Sequence, residues 1–199
     1  MNADTRRSSD PNPRVLFLQD FLKRPREVGS IIPSSRFLER RIVRCAELRN
    51  ASTVVELGPG TGGTTRAVLR AMRPDAQLLV IEINRRFARV IRHSVRDSRL
   101  FVHTGSAARI AEILEEHAFG TSDVVLSGIP FSTMPHDVGI EILQAVHDAL
   151  APGGRFIAYQ VRDRVETLGR QVFGRARIQT ELLNVPPMRV FCWDKGGDA

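Results

Sequence analysis

VVELGPGTGG, residues 54–63, sets two β-branched residues and an acid directly before four glycines. The first half reads as a short buried strand, and the second as a strand-to-helix turn with almost no side chains. Gly58, Gly60 and Gly63 satisfy G-x-G-x-x-G, and GGTTRAVLRAM continues as a helix that stops before Pro74. Such a turn lets the backbone approach a ligand closely at the carboxyl end of a first strand. An acid ending the second strand then takes ribose hydroxyls, and Glu82 stands in that place, with Ile83 beside it. Glu56, two residues before Gly58, either points into the sheet and pairs elsewhere or bears on the choice of ligand. It would repel a pyrophosphate, whereas it suits an ammonium or a sulfonium.

Outward from this loop the pattern repeats. AQLLVIEI is a strand and NRRFARVIRHSV a helix capped by Asn84; RLFVHTG is a strand and AARIAEILEEHA a helix. SDVVLSGI is a strand, HDVGIEILQAVHDAL a helix ending at Pro152-Gly153-Gly154, and RFIAYQV a strand. Strand and helix in alternation mean a mostly parallel sheet covered on both faces. Two further strands, around 175–183 and 188–193, follow with no helix between them and a turn at Asn184-Val185-Pro186-Pro187. They predict an antiparallel C-terminal hairpin at one edge and seven strands in all.

The 199 residues suit one α/β domain, residues 50–199, behind N-terminal helices. Residues 1–13 read as a disordered lead. In residues 14–24, Val15, Phe17, Leu18, Phe21 and Leu22 share one helical arc, and Pro25 ends the run. A second helix starts after Ser34 or Ser35 and runs to about Arg49. Residues 14–49 are thus expected to form an amphipathic cap. The net charge is +7, and residues 1–49 hold 11 Lys and Arg against 6 Asp and Glu. A basic front end serves nucleic acid, an anionic membrane or mere solubility. No apolar run approaches the ~18 residues of a membrane span, and the N-terminus lacks the apolar core of a signal peptide. Cys45 and Cys192 lie far apart in sequence and fit reduced thiols in a cytoplasmic protein. His93, His103, His117 and His147 show no ligand spacing, so no metal is expected.

VVELGPGTG resembles the first motif of class I S-adenosylmethionine-dependent methyltransferases, and LLVIEIN their second, acidic motif. The resemblance implies a Rossmann-like sheet and cofactor contacts from Glu56, Gly58, Pro59, Gly60, Thr61, Gly62 and Glu82. Where many members carry an adenine-contacting acid after the third strand, this chain has Ser106, followed by Ala107. The loop after the fourth strand, Ser127-Gly128-Ile129-Pro130-Phe131, lies beside the transferred methyl in amine-modifying members. It lacks the asparagine of adenine-N6 enzymes and keeps a ring at Phe131.

Together VGSIIPSSR, VVELGPGTG, SGIPF and NVPPMRVF resemble bacterial phospholipid N-methyltransferases of the ribosomal-RNA-adenine-dimethylase-like type. That resemblance implies methylation of phosphatidylethanolamine, or its methylated forms, toward phosphatidylcholine. The lipid would be met at an anionic membrane surface through residues 14–26, by a protein that is peripheral to the membrane. Ser34, Ser35 and Arg36 are candidates for the lipid phosphate, or the serines only cap the helix. Phe131 is a candidate for cation–π contact with the head group, or a core aromatic. Tyr159, the single tyrosine, and Ser127 are candidates beside the amine, and His136 for a proton relay. An adenine-N6 methyltransferase of ribosomal RNA and a non-catalytic cofactor-binding module remain as alternatives, and nucleic acid is the less expected partner. The oligomeric state is not legible.

Overall fold

A computed structural model describes residues 34–196. Residues 14–26 lie outside them, and so do the proposed disordered lead and first amphipathic helix.

Helix α1 (Arg36–Ala46) is capped by Ser35, whose Oγ accepts from the Leu38 N–H at 3.2 Å. Its Leu38, Ile42, Cys45 and Ala46 are buried against the sheet. Helix α1 thus packs on the same sheet as the helices Gly63–Ala71 and Arg85–Ser94.

The strands are β1 (Thr53–Leu57), β2 (Gln77–Ile81), β3 (Leu100–His103), β4 (Ser122–Ser127), β5 (Leu150–Gln160), β6 (Arg177–Glu181) and β7 (Met188–Asp194). Between them run α2 (Gly63–Ala71), α3 (Arg85–Ser94), α4 (Ile110–Glu116), α5 (His136–Ala149) and α6 (Arg164–Phe173). They form one sheet in the order β3-β2-β1-β4-β5-β7-β6. β1 to β5 are parallel neighbours, while β7 is antiparallel to both β5 and β6. The seven-stranded, mostly parallel sheet with its C-terminal antiparallel hairpin is the one that the alternation predicts.

Side chains alternate between faces with the strand period. Val54, Leu78, Val80, Val124, Leu126 and Ile157 meet α1, α2 and α3 on one face. Val55, Leu79, Ile81, Val125, Phe156 and Phe191 meet α4, α5 and α6 on the other.

Two details depart from expectation. Helix α6 lies between β5 and β6, where no helix is predicted. β5 also begins before Pro152-Gly153-Gly154, not after it: Ser122 pairs Leu150 but Val124 pairs Arg155, so the glycines form an irregularity within the strand. Among the described residues, no helix is long and apolar enough to cross a membrane.

Candidate active site

Chain order reverses at β1. The strands β1, β2 and β3 step one way across the sheet, and β4 then returns to β1's other side. At such a switch point the loops after the two central strands part and leave a crevice at their carboxyl ends. The glycine loop after β1 and the Ser127–Phe131 loop after β4 meet there. They meet closely: a Cβ on Gly128 would stand 2.8 Å from the Gly58 carbonyl oxygen and 2.7 Å from Tyr159 Oη. Gly58 itself has φ +62°, and its added Cβ would lie 3.0 Å from the Ile129 side chain. Glycine is required at both positions, at one by conformation and contact, at the other by contact.

Two carboxylates flank the loop. Glu82, 4% exposed, accepts from the Gly60 N–H at 3.3 Å and the Asn84 N–H at 2.8 Å. Burial pushes its carboxyl up to about 6, against the pull of the Asn84, Gly60 and Ile83 N–H groups. Glu56 is fully buried, and its Oε2 accepts from the Thr65 hydroxyl at 2.6 Å. Burial pushes it up to about 7; the Thr65 hydrogen bond opposes this, and the charge of Glu82 adds to it. Its Oε1 has no hydrogen-bond partner among the described residues. A buried carboxylate oxygen without a donor is costly to ionise, and a cation nearby removes that cost. The loop therefore suits a positively charged ligand and opposes a pyrophosphate.

Thr64 and Thr65 went unnoticed in the sequence. Both are buried in the first turn of α2, where polar residues interrupt an apolar helix face. That interruption is the signal that could have found them. Thr64 lies near Tyr159 and 3.3 Å, hydroxyl to hydroxyl, from Ser34. Burial, with Glu56 nearby, pushes the Tyr159 phenol far up, so it keeps its proton. Tyr159 can orient an amine through its hydroxyl, but it is no base near neutrality.

The other sequence candidates divide. Pro59 and Thr61 are in the loop, with Thr61 exposed, and Gly62 takes φ +82° to open α2. Ile83 is half-buried beside Glu82. Ser106 is 7% exposed, and its Oγ accepts from the Ala108 N–H at 3.3 Å, capping a short 3-10 turn that begins at Ala107. Ser127 is fully buried and holds the turn after β4 through the Ile129 N–H at 3.3 Å, so it shapes the acceptor loop without facing it. Gln160 braces the same loop, donating to the Ile129 carbonyl at 2.5 Å.

Phe131 requires correction. Its ring is fully buried in the core under α5, so it has no face to offer a head group. Ser35 also serves the fold: its Oγ caps α1 and its N–H donates to Asn184 Oδ1 at 2.8 Å. Arg36 is exposed, with its guanidinium 4.9 Å from the Phe37 ring centre. His136 is exposed at the start of α5, 3.5 Å from the Gln171 side chain. The described residues contain no group of three or more potential metal ligands.

A family model described as a methyltransferase domain matches residues 55–156, from β1 into β5. The chain belongs to the methyltransferase-domain family. Its fold is the Rossmann-like, class I form, and S-adenosylmethionine, cationic at both its ammonium and its sulfonium, fits the charge of this crevice. Among relatives, the ornithine lipid N-methyltransferase of Singulisphaera acidiphila is 32% identical over 86% of this chain and 91% of its own length. A mitochondrial dimethyladenosine transferase 1 of Caenorhabditis elegans is 36% identical, but over 49% of this chain and 28% of its own. The O-methyltransferase of Bacillus cereus, solved in complex with SAH, superposes with a TM-score of 0.66 at 12% identity and covers 94% of each chain.

Proposed function

We propose that this methyltransferase transfers methyl groups from S-adenosylmethionine to the amine of a membrane lipid, with phosphatidylethanolamine and its methylated forms as acceptors. The observation that carries this reading is the match, along nearly the whole length of both chains, to a lipid N-methyltransferase. The dimethyladenosine and ribosomal-RNA enzymes among the relatives match 48–71% of this chain and less than half of their own length. The acceptor loop supports the same choice, since it offers no amide to an adenine amine and its one ring is buried.

When bound, the cofactor supplies an electrophilic methyl group. The protein's part is positioning, which contributes much of the rate in such displacements. Glu82 and the Gly58–Gly62 backbone fix the donor, and Glu56 balances its positive charge. Gly128 lets the loop after β4 close against the Gly58 carbonyl and the Tyr159 hydroxyl, beside the place where an amine would meet the donor's methyl group. The Tyr159 hydroxyl orients that amine, and the proton it sheds passes to water.

The test is transfer of labelled methyl from S-adenosylmethionine to vesicles containing phosphatidylethanolamine, to vesicles containing ornithine lipid, and to ribosomal RNA. Label in phosphatidylethanolamine is expected. Label in ornithine lipid alone would move the acceptor, label in RNA alone would overturn the lipid reading, and label nowhere would point to a binding module.

A further inference from the structure

The β6–β7 connection carries side chains the core does not use. Leu182 is 72% exposed, Leu183 62% and Val185 89%. The turn is firmly built all the same. Between them Asn184 is buried, accepting from the Ser35 N–H and donating to the Pro186 carbonyl at 2.9 Å. The Leu183 N–H is held by Glu181 at 3.0 Å. Asn184 turned inward leaves its apolar neighbours turned outward.

Cations stand beside this tip. A cavity of about 240 Å³ is lined by Phe37, Arg40, Arg41, Arg44, Glu181 and Leu183. Glu181 pairs Arg41 at 2.9 Å. Arg36, Arg40 and Arg44, spaced four apart, form one exposed stripe on α1. Among the described residues, no carboxylate pairs with Arg40 or Arg44.

The position also matters. Arg189 of β7 lies opposite Gln160 at the carboxyl end of β5, so the tip projects at the edge that carries Gly58 and Gly128. Ser34, next to the Ser35 that Asn184 holds, reaches Thr64 in the first turn of α2, directly after the glycine loop.

We propose that this tip docks the protein on an anionic phospholipid membrane: Leu182, Leu183 and Val185 enter the interface while Arg40 and Arg44 take lipid phosphates. Exposed apolar side chains rimmed by exposed arginines match the layered chemistry of a bilayer surface, apolar below and anionic above. The proposal rests on the lipid-acceptor reading for its purpose, but binding is measured without methylation.

The experiment is partition of the full chain into vesicles of phosphatidylcholine alone or mixed with phosphatidylglycerol. It compares wild type, the triple variant Leu182→Ser, Leu183→Ser, Val185→Ser, and the double variant Arg40→Glu, Arg44→Glu. Each variant is expected to lose about tenfold or more in partition into mixed vesicles, with its S-adenosylmethionine affinity and unfolding midpoint kept. Three results would overturn the proposal. Partition unchanged in both variants would place docking elsewhere. Loss of a dimer in sedimentation, with partition kept, would assign the tip to a second copy. A lowered midpoint with partition kept would assign it to another segment of this chain. If the variants lose partition and yet wild type methylates no lipid, the docking surface stands and the acceptor reading fails.

Discussion

Glu82 receives two backbone N–H groups, from Gly60 in the loop after β1 and from Asn84 in the loop after β2, so its removal unties the two loops from each other. Glu82→Ala is expected to weaken S-adenosylmethionine binding tenfold or more in a calorimetric titration, on the order of 1.5–3 kcal/mol for hydrogen bonds to a charged group. Gly128→Ala drives a Cβ against the Gly58 carbonyl and Tyr159 Oη. Methyl transfer should fall by at least ~10²-fold while far-UV dichroism stays native, because a displacement of ~1 Å at a reacting centre is that costly. Glu56 carries a pH signature. Its folded value is raised to about 7 from 4.5, so its contribution to stability is full below 4.5 and is lost as pH rises through about 7. Without cofactor, the unfolding midpoint of Glu56→Gln should vary less between pH 5 and pH 8 than that of the wild type. The wild-type effect is on the order of 3 kcal/mol. Binding of the cationic donor should tighten over the same range and release protons, as calorimetry in buffers of different ionisation enthalpy would show.

Among the elements, α6 is the one that patterning missed. Its sequence RVETLGRQVF carries Val165 and Leu168 as buried apolar anchors, but Gly169 and five polar or charged neighbours obscure the helical period. Gly169 is there for Trp193: an added Cβ would stand 2.6 Å from the indole. Gly169→Ala is therefore expected to destabilise the protein, by ~1–3 kcal/mol in urea unfolding, although alanine is the better helix former. The core strands were legible because VVELGPG, LLVIEIN and DVVLSG are runs of β-branched and aliphatic residues between turn formers. The site was legible where chemistry is local, as in the glycine loop and Glu82. It was not legible where tertiary packing decides, as with the burial of Phe131, the use of Ser127 to hold a turn, and the meeting of Tyr159 with Thr64. Cys45 and Cys192, 147 positions apart, likewise come together in one buried cluster between α1 and β7.

The whole molecule places its chemistry at one edge of one sheet. The glycine loop after β1, the loop after β4, the N-terminus of α1 and the exposed β6–β7 tip all lie at the carboxyl ends of the strands. A lipid amine could thus reach the crevice while its acyl chains stay in the bilayer, and no membrane-spanning helix is needed for that geometry. The most direct test is to express the full chain in a bacterium that makes phosphatidylethanolamine but none of its N-methylated forms, and to analyse the extracted lipids by mass spectrometry beside the Gly128→Ala variant. Monomethyl-, dimethyl- or trimethylated phosphatidylethanolamine in the wild type, absent from the variant, is the predicted result. Unmodified phosphatidylethanolamine in the presence of soluble, S-adenosylmethionine-binding protein would contradict it.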